Sequence, residues 1–589
     1  MHVRSRKRVW AALAWAGLAV AADASAGTGN AALQAALDAA HPADEIAVIV
    51  TYRGQFKPRQ LRKLLAEEGG DNAAVVGERR RAHRRAIIEG LRRSADQQGE
   101  PIATVARGKG ARSIRVLWVT NAVALRARRE VIWELLADPR VADVRLDQVV
   151  AAPVPMAGPP GPVEWNVSAV GAPALWTQGY DGTGAIVGIL DSGVDVAHPD
   201  LAGSFRGGVD SWYDPYGEHA SPYDRLGHGT QALGLIVGGS LNGSAIGVAP
   251  GATWIAAKIF NDAGVATESA IHLAFQWMLD PDGDPGTDDA PDVVSNSWDI
   301  ASENVCNSVF QADIDALKSA DIAVVYSAGN YGPAPATSVS PANNAHVVSV
   351  GSVDPANAVS PFSSRGPSAC DGSIFPKVVA PGDGLQTTDL SFGGQPLYLQ
   401  VSGTSFAAPE VAGVIALLRA AVPTASAGEV EAALAESAQD LGTPGPDADS
   451  GYGLVDAPAA LLAIAAPVDE DQDGYVVSRD CNDQDPSVYP GAREVRRDGG
   501  DQDCNGYDLT LDVKYAVYSH DGARLSLRVT SALRGQAGLE IVGVGPLTWR
   551  PARRDWVFDG GTSGTLEQIT IRGIEGEVRQ RPRPPTPQR

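Results

Sequence analysis

The chain has 589 residues, 44% of them hydrophobic, and a formal charge of −22; it is too long for one core, since domains mostly run about 50 to 250 residues. Its apolar content excludes a wholly disordered chain, and past the N-terminus no apolar run approaches the roughly 18 to 20 residues of a membrane span. The charge is split, because residues 1–150 hold 25 Lys and Arg against 16 Asp and Glu, a net +9 that leaves −31 for residues 151–589 and argues against nucleic acid as a partner of the acidic part.

At the N-terminus, Arg4, Arg6, Lys7 and Arg8 precede an apolar run from Val9 to Ala22 and then Ala24-Ser25-Ala26. This reads as a cleaved export signal over residues 1–26, the alternative being an uncleaved membrane anchor. The Ala- and Gly-rich stretch from 27 to about 43 reads as a leader that need not fold. A strand is predicted at 45–54, then an Arg-rich helical pattern at 58–97 with apolar positions at Leu61, Leu64, Leu65, Ile87, Ile88 and Leu91. Strands at 113–120 and 122–129, a helix at 131–138 and a strand at 141–151 complete a small α+β unit. Its basic run at 79–85 reads alone as a solvated face. Residues 152–165, rich in Pro, Gly and Ala, form a linker and cleavage zone.

From 166 to 466, apolar strands such as 185–192 and 321–328 alternate with helical segments such as 269–279. This predicts an α/β fold, a parallel sheet with helices on both faces. Residues 467–508 are dense in Asp and Asn, 509–578 read as short strands of a small β module, and 579–589 as a disordered tail. In an exported chain the four cysteines allow three pairings, of which proximity favours Cys306 with Cys370 and Cys481 with Cys504.

Three segments carry chemistry: ILDSGVDVAHPDL at 189–201, GHGT at 227–230 and GTSFAAPEVAG at 403–413. Asp191 ends an apolar strand, where open α/β sheets put their sites. His228 stands between two glycines, and Ser405 begins a helical run whose N-terminus favours a developing anion. Peptide hydrolysis needs a nucleophile, a base and a group fixing that base's tautomer, which Ser405, His228 and Asp191 supply. Asn330, after the strand at 321–328, offers an amide donor for the oxyanion.

The order Asp, His, Ser within DSG, GHGT and GTSFAAP resembles the subtilisin family over about 300 residues, and 246–260 with 291–298 resemble its bacillopeptidase F branch. The resemblance implies a subtilisin-like fold and a secreted serine endopeptidase acting on proteins or peptides through an acyl-enzyme. It also makes 27–152 a propeptide, the chain's own intramolecular inhibitor, removed near 150–165. Positive charge on an otherwise acidic chain suits that docking, the alternative being a permanent N-terminal domain. The chain departs from the family pattern at Gln231, Phe406 and Glu410. In SWDI at 297–300, Asp299 and Ile300 replace the usual glycines of the specificity-pocket wall; Asp299 either favours Arg or Lys before the scissile bond or points to solvent.

In 469–480, Asp469, Asp471, Asp473, Gly474 and Asp480 occupy positions one, three, five, six and twelve of the calcium-loop template, with the Tyr475 carbonyl at seven. Asp replaces the usual final Glu. The stretch to 508 resembles the metal-binding repeat of MopE-related bacterial surface proteins, which adds Asp483, Asp485, Asp501, Asp503 and Asn505 as further candidates. Carboxylates without His favour a structural calcium, the alternative being an acidic linker. A third cluster, Asp280, Asp282, Asp284, Asp288 and Asp289, is interrupted by prolines and reads as a solvated loop in preference to a calcium site. The competing whole-chain reading is a calcium-binding surface or adhesion protein with a protease-like scaffold.

Overall fold

The computed structural model describes residues 28–53, 73–154, 165–465 and 482–583, with short interruptions at 242, 301–302 and 395 and in loops of the last stretch. The export signal, residues 155–164 of the linker and the template loop at 469–480 lie outside the described residues. The chain forms two compact units, Met1–Leu461 and Leu462–Arg589.

The first unit opens with a five-stranded sheet in the order Thr28–Gly29, Val141–Leu146, Ile46–Tyr52, Ala122–Ala127, Arg112–Leu117, antiparallel except for its first pair. The leader expectation fails here, because residues Ala31–Ala39 form a helix capped by Asn30, whose Oδ1 accepts from the Leu33 amide at 2.8 Å. Leu33 and Leu37 are its anchors in the sheet's core. The Arg-rich helix spans Ala73–Ser94 and continues through a π turn, Ala95–Gly99, into Glu100–Gly108. The last expected strand divides. Val141–Leu146 stays in this sheet, while Val149–Ala151 leaves it to pair antiparallel with Val265–Thr267.

The central sheet has seven parallel strands in the order Val378–Pro381, Val348–Val353, Ala323–Ser327, Val293–Asn296, Ile186–Asp191, Thr253–Lys258, Trp212–Tyr213. The five inner strands are fully or almost fully buried, as a sheet covered on both faces requires. Leu190, Val294, Val324 and Tyr326 join the core with the helices Glu268–Leu279 and Gln311–Ser319. Helices His228–Val237 and Thr404–Ala421 pack on each other and on the strands. Among the described residues, only Thr404–Ala421 is long and apolar enough to cross a membrane, and it is core.

Ile87, Ile88 and Leu91 of the Arg-rich helix share the core of the central sheet, so part of its basic run, Arg80 and Arg84, is an interface, while Arg81 and Arg85 stay exposed. Arg80 pairs with Asp321 at 2.7 Å, Arg84 with Asp288 at 3.0 Å, and Arg92 with the buried Asp280. The acidic loop is therefore partly covered, not wholly solvated. Below this junction, buried His272 lies 2.8 Å from Asp313 and 3.3 Å from Glu268, which Arg145 reaches at 2.5 Å. Burial alone would lower the imidazole pKa, but the two carboxylates push it up to about 9.

The second unit contains two four-stranded antiparallel sheets over one apolar core. Within it Thr548–Arg550 and Asp555–Gly561 form a hairpin, clamped by two Arg550–Asp555 bonds of 2.8 and 2.9 Å. The final strand is Gly576–Gln580, and Arg583 bridges to Val517, so the expected start of a disordered tail at 579 falls within ordered pairing. The bridge Cys306–Cys370 matches its expected pairing, and Cys504 is also disulfide-bonded.

Candidate active site

Asp191 ends the inner strand Ile186–Asp191 and is 1% exposed. Its Oδ1 lies 2.8 Å from Nδ1 of His228, the first residue of the helix His228–Val237. Glycine makes this approach possible, because a Cβ on Gly229 would sit 2.1 Å from the Gly193 carbonyl oxygen and 3.1 Å from Asp191 Cβ. Any other residue there would drive the imidazole away from the carboxylate.

Ser192 fixes the turn behind Asp191. Its amide donates to Asp191 Oδ1 at 2.7 Å, its hydroxyl donates to Asp224 at 3.0 Å and accepts from the Gly229 amide at 2.9 Å. Lys258, fully buried, donates to the Ser192 carbonyl at 2.9 Å. Asp224 further accepts from the amides of Leu226, Gly227 and Thr230 and from the Thr230 hydroxyl, all within 3.0 Å. Burial raises its pKa although these donors act against the shift. Sequence reasoning missed both Asp224 and Lys258; the only local signal was an Asp four residues before His228.

Ser405 is the second residue of the helix Thr404–Ala421 and is 6% exposed. Gly403 before it has φ 145°, a conformation that favours glycine. The Ser405 hydroxyl lies 3.4 Å from the Ser297 carbonyl, and the Ser297 hydroxyl donates to the Ser405 carbonyl at 2.7 Å. His228 Nε2 is buried without a hydrogen-bond partner. The Ser405 hydroxyl is therefore not hydrogen-bonded to it. Asn330 is exposed beyond Ala323–Ser327, and its Oδ1 accepts from the Thr404 amide and hydroxyl, both at 2.9 Å. Because an amide N–H must face an oxygen, these bonds fix the side chain's orientation and leave Nδ2 as the donor beside the start of the helix.

The three departures from the family pattern have structural partners. Gln231 donates to Asp389 at 3.1 Å, Phe406 packs with Leu235, Leu385 and Val401 and 5.5 Å from the His228 ring, and Glu410 accepts from Asn166 at 2.7 Å.

The expected metal ligands Asp469, Asp471, Asp473, Tyr475 and Asp480 lie outside the described residues, as do Asp483 and Asn505. Asp485 accepts from the Ser487 amide and hydroxyl at 3.1 and 2.7 Å. A donor set of carboxylates without imidazole or thiolate fits a hard cation such as calcium. Among the described residues, two carboxylate-bearing groups gather within 4.8 Å: Glu218 with His219 and Asp262, and Asp280 with Asp282 and Asp289.

A buried Asp–His pair and a serine at a helix N-terminus, at the carboxyl edge of a parallel sheet, are the arrangement expected of a serine hydrolase of the subtilisin kind. The subtilase family model matches residues 182–453, and a MopE-type metal-binding motif matches 480–508. The chain is 32% identical to Bacillopeptidase F of Bacillus subtilis (strain 168) over 479 residues, which cover 75% of this chain and 33% of that protein. It is 32% identical to Subtilisin E of the same organism over 57% of this chain and 80% of that protein, and 34% identical to Subtilisin Savinase of Lederbergia lenta over 51% and 98%. The chain belongs to the subtilase family of serine endopeptidases. It spans about a third of the length of Bacillopeptidase F.

Proposed function

We propose that the protein is an exported endopeptidase, made as a zymogen, that cleaves proteins or peptides through an acyl-enzyme. Ser405 is the nucleophile, His228 its base and then the acid for the leaving amine, Asp191 the group holding the imidazole's tautomer, and Asn330 Nδ2 an oxyanion donor. The observation that carries this reading is the buried 2.8 Å Asp191–His228 contact, with Phe406, the neighbour of Ser405, 5.5 Å from the imidazole.

Residues 27–152 act as the intramolecular inhibitor, 166–466 as the peptidase, 467–508 as the metal repeat and 509–578 as an appended β module. The basic helix docked on Asp280, Asp288 and Asp321, and the pairing of Val149–Ala151 with Val265–Thr267, support the inhibitor role. Asp469, Asp471, Asp473, Tyr475 and Asp480 hold a structural calcium, which supplies local folding energy and takes no part in hydrolysis.

A serine-reactive probe applied to the purified mature protein tests the catalytic reading. Labelling well above a Ser405→Ala control is expected; equal labelling overturns it in favour of a protease-like scaffold. A melting temperature unchanged by chelator would count against calcium.

A further inference from the structure

We infer that Asp299, presented by Tyr331, makes this site select Arg or Lys as the residue whose carbonyl is attacked, an inference that rests on the endopeptidase reading above. Two neighbouring parallel strands, Val293–Asn296 and Ala323–Ser327, run side by side with Asn296 opposite Tyr326 and end at the same sheet edge. Beyond them the chains continue as 297–300 and 328–332. Ser405 touches the first continuation through Ser297, and Asn330 lies on the second. A carbonyl held between Ser405 and Asn330 therefore directs the side chain on its acyl side toward the space between these two segments.

Asp299 and Tyr331 meet across that space. The Tyr331 hydroxyl donates to both Asp299 oxygens, at 3.3 and 3.4 Å. The direction of Asp299 follows from its neighbours. Trp298 is buried against Phe310 and Tyr326, and Ile300 packs on the same core while its amide bonds to the Ser340 carbonyl. With Trp298 and Ile300 packed on the core, the Asp299 side chain between them reaches Tyr331 instead. Two residues before Asp299, Ser297 makes the contact with Ser405. Asp299 is half-buried, so its charge acts in a medium less screening than water.

Burial, Asp299 and the neighbouring Glu303 together push the Tyr331 phenol up to about 12, which keeps it a protonated donor. Beyond Glu303, the Asn304 amide bonds to the Ser338 carbonyl and Cys306 is bridged to Cys370, so this wall is tethered near Asp299. A long cationic side chain gains a carboxylate partner, while an acidic one is repelled.

The rule also bears on processing. Residues 146–165 contain no Lys or Arg, so the first cut there depends on tethering, which supplies a high effective concentration, rather than on side-chain selection. Once released, the Arg-rich segment is itself a preferred substrate.

The test uses the mature full-length protein and peptides that differ only in the residue before a chromogenic leaving group: Arg, Lys, Phe, Ala or Glu. Arg and Lys should exceed Phe in kcat/KM by at least about tenfold, with Glu lowest, and Asp299→Asn should cut the Arg and Lys values by about 10- to 100-fold and collapse the ratio. Tyr331→Phe, which removes a positioning hydroxyl, should lower the ratio through KM. A wild-type preference for Phe or Ala, or an Arg-to-Phe ratio unaltered by both substitutions, overturns the inference. Labelling by the serine probe normalises active enzyme in each variant. If the wild type is not labelled above Ser405→Ala, the endopeptidase reading itself fails; labelled enzyme without a basic preference sinks the specificity inference alone.

Discussion

Glu410 lies within the helix that begins beside Ser405 and is fully buried, its Oε1 accepting from Asn166 at 2.7 Å and its Oε2 without a partner. Burial holds its pKa well above the ordinary 4.5. The folded chain therefore keeps this proton to a higher pH than the unfolded chain does. A raised folded pKa makes stability intact below about 4.5 and lower above it, falling by about 1.4 kcal/mol for each pH unit until the buried carboxyl ionises. Glu410→Gln retains the shape and the acceptor for Asn166 but removes this titration. Its stability relative to Glu410 should be close to zero at pH 4.5 and rise along that slope toward alkaline pH. Urea unfolding followed by tryptophan fluorescence, in a Ser405→Ala background to prevent self-digestion, measures the difference. Parallel stability curves across pH, or a penalty for Glu410→Gln that grows with pH, would refute the reasoning.

Asn330→Ala should reduce kcat by about 10² to 10³ with little change in KM, a magnitude known from subtilisin itself rather than worked out from this geometry; an equal loss in KM would point to substrate binding instead. In the Ser405→Ala precursor, Arg92→Glu sets a carboxylate against Asp280, whose side chain is 1% exposed while that of Arg92 keeps 32% in solvent. The N-terminal segment should loosen by a few kcal/mol at most. Faster trypsin cutting within residues 73–152 would report it, and unchanged cutting would show that the pair contributes nothing to docking.

Much of the site was legible because its parts are local. Asp191 ends an apolar run, His228 stands between glycines, and Ser405 opens a helix; each signal spans a few residues and depends on backbone geometry the sequence encodes directly. The central parallel sheet was readable for the same reason, since burial on both faces demands continuous apolar strands. The partners of Ser192 were not. Asp224 lies 32 positions away and Lys258 lies 66 positions away, and apart from the place of Asp224 shortly before His228 nothing local distinguishes either from an ordinary surface charge.

The sequence by itself determined which residue types could hydrolyse a peptide and in what order they occur along a parallel α/β sheet. Tertiary structure alone decided how charges separated by about 190 to 240 positions are used. Arg80 and Arg84 looked solvated until Asp321 and Asp288 came to face them, and Arg92 of the same helix meets Asp280. Leu33 and Leu37 looked like a low-complexity leader until a sheet edge gave them a core. Asp299 could equally have faced solvent, and only the inward packing of Trp298 and Ile300 turned it toward Tyr331. In each case the deciding term is burial against a distant segment, and periodicity along the chain carries no record of it.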